Sequence, residues 1–209
     1  MAAAGSSHAL HGRMIRSGET RASAANVANI ITVVRIFMAP AFVWLLLADA
    51  GEMGAARWIA AVVFVVAILT DSLDGFLARR QNLVTDLGKI LDPIADKVLI
   101  GGALVALSIL DEVFWWVTIV ILVREFGITV FRFVVLRSRV IPASAGGKLK
   151  TVLQSVSLSA FLFPIASVVG EWFVWVSGGL LALALVVTVV TGLDYLYKAY
   201  RFNRAPAVS

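Results

Sequence analysis

The sequence predicts an all-α, polytopic membrane protein: six transmembrane helices behind an N-terminal cytoplasmic or juxtamembrane segment. Three observations predict it. Of the 209 residues, 60% are hydrophobic and only 15% charged, more apolar surface than one soluble core of this size can hide. Apolar stretches long enough to cross a hydrocarbon layer recur along the chain, at about 30–48, 58–78, 90–110, 113–136, 151–169 and 172–195. The basic residues at the ends of these stretches fall almost entirely on one side of a six-span arrangement.

Taken in order, residues 1–25 form a polar leader rich in small residues with Arg13, Arg16 and Arg21, read as disordered or surface-lying. A secretory signal would carry its apolar segment nearer the start, and the first apolar run is long enough to span, so no cleavage is expected. Residues 26–204 make one six-span domain, and 205–209 a short tail. The leader, the segments 79–97 and 137–150, and the tail residues Lys198, Arg201 and Arg204 supply the basic side, which is therefore cytoplasmic. The other side carries Asp49, Glu52, Asp111, Glu112 and Glu171 against Arg57. Both termini then lie inside, in a cell inner (cytoplasmic) membrane protein. The net charge of +5 suits anionic headgroups, and a chain this apolar offers no exposed domain to a nucleic acid. With no cysteine, disulfides and thiolate metal sites are excluded. His8 and His11, both in the leader, are read as solvated bystanders.

Four carboxylates stand at telling spacings. Asp71 and Asp74 close the second span and are followed by Gly75, Ala78 and Arg79; Gly88, Asp92, Pro93 and Asp96 open the third. Separations of three and four put each pair on one helix face, and the short link between the spans makes them antiparallel neighbours. Four carboxylates gathered at one depth repel unless cations sit among them. Oxygen ligands favour magnesium, manganese or calcium, and the arrangement suggests two ions. Magnesium commonly completes its shell with phosphate oxygens, so the cluster points to pyrophosphate chemistry. Gly75 and Ala78 leave room for a ligand, and Arg79 offers a planar fork to phosphate. Either pair alone reads equally as a salt-bridged loop feature; both together, with glycines and an arginine interposed, do not. Pro93 permits two readings: the first helical turn with Asp92 as N-cap, or a kink inside a longer helix.

These residues fill every defined position of Asp-x2-Asp-Gly-x2-Ala-Arg-x8-Gly-x3-Asp-x3-Asp, the signature of the CDP-alcohol phosphatidyltransferases, which the chain resembles. The likeness extends over about 29–150, through Asn29-Ile-Ile-Thr32-Val-Val-Arg35, Val123-Arg-Glu-Phe-Gly127 and Gly147-Lys-Leu-Lys-Thr151, to the bacterial branch whose acceptor is sn-glycerol 3-phosphate. The resemblance implies transfer of a phosphatidyl group from CDP-diacylglycerol to that alcohol with release of CMP. It implies two divalent cations, magnesium or manganese, held by Asp71, Asp74, Asp92 and Asp96, with Asp96 also the general base. It implies a nucleotide site at Gly75, Ala78 and Arg79, with Thr85 and Asn29 nearby, although Thr85 reads equally as an ordinary loop threonine. Homodimerisation is carried over in the same way. No covalent nucleophile with an adjacent base is evident, which favours direct displacement.

Arg124 and Arg132 lie inside the fourth span, where unpaired guanidinium groups are costly, and Glu125 can pair with only one of them. Together with Lys148 they are candidates to surround the acceptor phosphate. Lys150 reads as an inside-facing anchor, and Arg35 as either a site residue or a headgroup partner. Trp115, Trp116, Trp172 and Trp175 mark the outer interface, while Gly101-Gly102 and Gly178-Gly179 are expected at close helix contacts within or between subunits. Two kinds of alternative compete: the same donor with inositol phosphate or phosphatidylglycerol as acceptor, or a divalent cation transporter. Transporters place their acids near the midplane in repeated halves, whereas these acids cluster near one face and no repeat is visible.

Overall fold

A computed structural model describes the backbone of residues 19–81, 86–135 and 145–204, and the side chains of 30–71, 91–131 and 149–198. Among the described residues every regular element is a helix, the form in which a long apolar segment satisfies its own backbone polar groups. The helices are α1 (Glu19–Ala48), α2 (Ala55–Gln81), α3 (Asp86–Ile109), α4 (Trp115–Val135), α5 (Ala145–Leu162), the single turn α6 (Ala166–Val169) and α7 (Trp172–Arg204). Ile30–Ala48 and Trp172–Lys198 are each long and apolar enough to cross a bilayer. An all-helical chain with such helices is consistent with a membrane protein.

Packing explains how the ends come together. Helix α1 lies along both α2 and α3, α5 lies along α7, and α4 touches α3 and α7. Phe42, Leu46, Phe64, Leu104, Leu107, Leu158 and Leu162 fill the core, with the Phe42 and Phe64 rings 5.3 Å apart. Large apolar side chains also point outward, including Phe37, Trp44, Val123, Val190 and Leu193, as a helix bundle solvated by lipid requires. Trp115, Trp116, Trp172 and Trp175 are exposed too.

Several sequence expectations are modified. Helices α2 and α3 touch each other only slightly; α1 packs along both and joins them. Pro93 lies well inside α3, which starts at Asp86, so Asp92 is not an N-cap. The fifth apolar stretch is broken: α5 ends at Leu162 and Pro164 occupies the interruption before α6. Proline lacks a backbone N–H and its ring obstructs the preceding turn, which accounts for the break. Gly101 and Gly102 do sit at close contacts, where an added Cβ would lie 3.2 Å from Leu122 and 3.0 Å from Val43. At Gly178 and Gly179 an added Cβ would meet nothing within 4 Å among the described residues.

The end of the bundle remote from the aspartates is tied by charge. Arg57, fully buried in the first turn of α2, donates both terminal nitrogens to Glu112 in the α3–α4 connection. Its Nε also donates to Leu162 O at 3.1 Å and its Nη2 to Phe161 O at 2.8 Å. In the α1–α2 turn, Asp49 accepts from the backbone N–H groups of Met53 and Gly54, both at 2.9 Å.

Candidate active site

Helix α1 organises the acidic end. Thr32 and Arg35 are one turn apart on it, both buried, and they reach opposite neighbours. Thr32 Oγ1 donates to Asp92 Oδ1 on α3 at 2.8 Å, and Arg35, only 1% exposed, pairs with Asp71 on α2. Asp71 and Asp92 are thus each bound by a side chain of a third helix, and Arg35 reaches Asp71 rather than a headgroup. A guanidinium withdrawn from solvent is costly unless a carboxylate compensates it, so this pairing fixes α1 against α2.

The donor type suits a hard divalent cation, but among the described residues no three of these acids close into a metal-holding group. The described carboxylates at this end, Asp71, Asp92 and Asp96, present oxygen only, on helices held by a common neighbour. Asp71 is already paired with the buried Arg35 guanidinium, which supplies part of the positive charge its position requires. Thr32 occupies one oxygen of Asp92, orienting the carboxylate in the way that groups outside the ligand shell commonly orient metal ligands.

Asp96 also lines a pocket between α3, α4 and α5, with Lys97, Glu125, Lys150, Thr151 and Gln154 as its other polar walls and Ile100, Ile121 and Leu122 among its apolar ones. Of the described acids Asp71, Asp92 and Asp96, Asp96 is the one that lines it. Glu125 is its electrostatic hub. It accepts from Lys97 at 3.3 Å, from Arg124 at 3.1 Å and from Lys150. Three cations from three helices share one carboxylate, so the group keeps a net positive charge even with Asp96 counted beside it.

That arrangement corrects one reading and sharpens another. Lys150 is buried and bound to Glu125, not an anchor reaching for the interface; its neighbour on α4 supplies the counter-charge that the headgroup region would otherwise have supplied. Arg124 does pair with Glu125, and its Nη2 donates to Thr191 Oγ1 on α7 at 2.8 Å. It passes over Gly192, where a Cβ would sit 3.0 Å from Nε and 3.2 Å from Cγ. Thr32, Thr191, Gly192 and Gln154 were not singled out from sequence. Only the helical spacing of Thr32 and Arg35 gave any signal for them.

The remaining candidates lie outside the described residues. Asp74, Gly75, Ala78 and Arg79 fall on α2, Asn29 on α1, Arg132 on α4 and Lys148 on α5, but their side chains are not described, and neither is any part of Thr85. His8 and His11 are likewise outside.

The family model for CDP-alcohol phosphatidyltransferase matches residues 25–190. A protein of Mycobacterium tuberculosis called "Probable phosphatidylglycerophosphate synthase" is 46% identical over 181 residues, covering 87% of this chain and 85% of its own. The "CDP-diacylglycerol--glycerol-3-phosphate 3-phosphatidyltransferase" of Bacillus subtilis is 38% identical over 193 residues, covering 83% of this chain and 94% of its own. A protein of the same name from Rickettsia felis is 36% identical over 182 residues, with 83% and 94% covered. The matched span covers most of the chain, including the paired acids, the pocket that Asp96 lines and most of α1, and with these relatives it shows that the chain belongs to the CDP-alcohol phosphatidyltransferase family.

Proposed function

We propose that this enzyme transfers the phosphatidyl group of CDP-diacylglycerol to sn-glycerol 3-phosphate, giving phosphatidylglycerophosphate and CMP in phospholipid biosynthesis. The observation that carries the reading is the filled eight-position signature in a chain whose relatives, named for this reaction, align over more than four-fifths of both sequences. The surplus positive charge around Glu125, beside Asp96, supports an anionic acceptor over a neutral one.

Asp71, Asp74, Asp92 and Asp96 are the proposed ligands of two divalent cations, magnesium or manganese. When bound, such ions withdraw charge from the pyrophosphate and stabilise the CMP leaving group. Gly75, Ala78 and Arg79 are the proposed nucleotide site, with Asn29 and Thr85 also assigned to it, and the planar fork of an arginine suits phosphate oxygens. Arg124, Arg132 and Lys148 hold the acceptor's phosphate. Asp96 takes the proton of the acceptor's primary hydroxyl as that oxygen bonds to the lipid-linked phosphorus and the bond from phosphorus to the CMP oxygen breaks. Apolar grooves between helices leave the acyl chains in lipid.

The reading includes six spans in a single domain of residues 26–204, following a leader over 1–25 and followed by a tail over 205–209. It places the chain in the cytoplasmic membrane as a homodimer, with the site and both termini on the cytoplasmic side. The one-sided basic residues support that orientation.

The test is CMP release from CDP-diacylglycerol in detergent micelles with magnesium, using glycerol 3-phosphate, inositol phosphate and phosphatidylglycerol as acceptors. Glycerol 3-phosphate should be preferred, and chelator should abolish turnover until magnesium is restored. A preference for another acceptor overturns the substrate assignment. Metal flux into liposomes without any transferase activity overturns the whole reading.

A further inference from the structure

Gln154, on α5, is only 3% exposed, yet among the described residues its side-chain Nε2 finds no hydrogen-bond partner. Buried amides are almost always satisfied, so one that is retained without a partner calls for a group that arrives later. Gln154 lines the pocket that Asp96 also lines. Part of its surroundings there, Ile100, Ile121 and Leu122, offers no polar atom from a side chain. The charged walls are already engaged with one another, since Lys97 and Lys150 are both bound to Glu125.

We infer that Gln154 is a specificity-determining residue that hydrogen-bonds the acceptor's non-reacting hydroxyl. The inference rests on the proposed reaction, in which Asp96 receives the proton of the reacting hydroxyl. With the acceptor placed as in that reaction, its primary hydroxyl at Asp96 and its phosphate at Arg124, Arg132 and Lys148, the secondary hydroxyl is the polar group still to be met. A hydroxyl both donates and accepts, so either end of the amide serves it. A site that keeps a buried polar group for one substrate hydroxyl discriminates against an analogue lacking it, because the protein group is then left unpaired.

The experiment compares glycerol 3-phosphate with 3-hydroxypropyl phosphate, which lacks only the secondary hydroxyl, in the full-length wild-type enzyme and in Gln154→Leu and Gln154→Met. For wild type, kcat/KM should fall about tenfold with the deoxy acceptor, the scale of one hydrogen bond. In both variants the two acceptors should become equivalent, with the KM for CDP-diacylglycerol unchanged. The thermal midpoint without substrate should hold or rise, because an unpaired buried amide has been replaced by an apolar group. Wild-type discrimination persisting in both variants would overturn the inference. So would a lowered midpoint with both substrates' KM raised together, the signature of an amide satisfied by internal water and needed for packing. If wild type releases no CMP with glycerol 3-phosphate, the acceptor assignment has failed instead. The comparison is then made with the accepted alcohol and its deoxy form, and equal use of the two by wild type rejects Gln154 as a hydroxyl reader.

Discussion

Replacing Arg57 with methionine should destabilise the bundle severely while leaving its chemistry intact. The guanidinium is fully buried and satisfies both oxygens of Glu112 and the carbonyls of Phe161 and Leu162, so its loss strands a carboxylate and two backbone acceptors. Removing one partner of a buried ion pair costs about 3–5 kcal/mol. Glu112 keeps 19% of its side chain exposed and can partly rehydrate, which favours the lower end, about 3 kcal/mol. For a chain of this size that corresponds to a fall of roughly 6–12 °C in thermal midpoint. Asp96 lies about 20 Å along the α3 axis from the helix end next to Glu112. Turnover measured well below the midpoint should therefore stay within about twofold of wild type, as distant sites usually act independently. Arg57→Met combined with Glu112→Leu should recover part of the loss, since the stranded charge is gone. A midpoint unchanged within about 2 °C, less than the shift expected from 1 kcal/mol, would refute the staple, and a selective loss of acceptor affinity would refute its separation from the site.

Three further outcomes follow from the acidic end. Asp96→Asn, folded and membrane-inserted, should lower kcat by about 10²–10⁴ in the CMP-release assay, the usual worth of a positioned general base, and a loss below threefold would remove it from that role. Thr32→Val deletes the hydroxyl bound to Asp92 and should raise the magnesium concentration for half-maximal rate by about three- to tenfold, since hydrogen bonds to charged groups are among the stronger ones. Titrating the metal in each protein checks this, and an unaltered requirement argues against Asp92 as a ligand. Gly192→Ala puts a methyl group 3.0 Å from Arg124 Nε and should raise the KM for glycerol 3-phosphate severalfold without raising that for CDP-diacylglycerol. Equal increases for both substrates would assign Arg124 to packing.

The acidic pairs are legible in the sequence because their spacing is local. Asp71 with Asp74, and Asp92 with Asp96, fall at helical spacing in helices joined by a short link, and apolar length alone fixes the helical class. The charged residues that stabilise the fold were not, because their partners are remote in the chain. Arg57 looked like the odd cation of an acidic outer face, although its partners lie 55 and 104–105 residues onward and leave it wholly buried. Lys150 looked like an interfacial anchor for the same reason: at the end of an apolar stretch, a lysine facing lipid headgroups and one facing a carboxylate on another helix have identical local sequence. Burial of charge is set by helix rotation and register, which no local spacing encodes. Gln154 illustrates the point for a neutral group, since nothing in its immediate sequence marks an amide that packing leaves without a partner.

The role of α1 follows from the same limit. Two antiparallel helices joined by a short link were expected to face their acids directly, yet α2 and α3 make little contact and are spaced by α1. Direct apposition would set carboxylates against carboxylates across a poorly screened gap. Inserting α1 places the Arg35 guanidinium at Asp71 and the Thr32 hydroxyl at Asp92, so each acid is held by a donor before any ion arrives. The two donors differ in consequence. Thr32 orients Asp92 without neutralising it, whereas Arg35 supplies a full charge that would compete with the cation proposed at Asp71. Arg35→Gln should therefore strengthen metal binding at Asp71 while loosening α1 from α2, seen as a lower magnesium requirement together with a lower thermal midpoint. A raised requirement would mean that Arg35 positions Asp71 for the ion rather than competing with it.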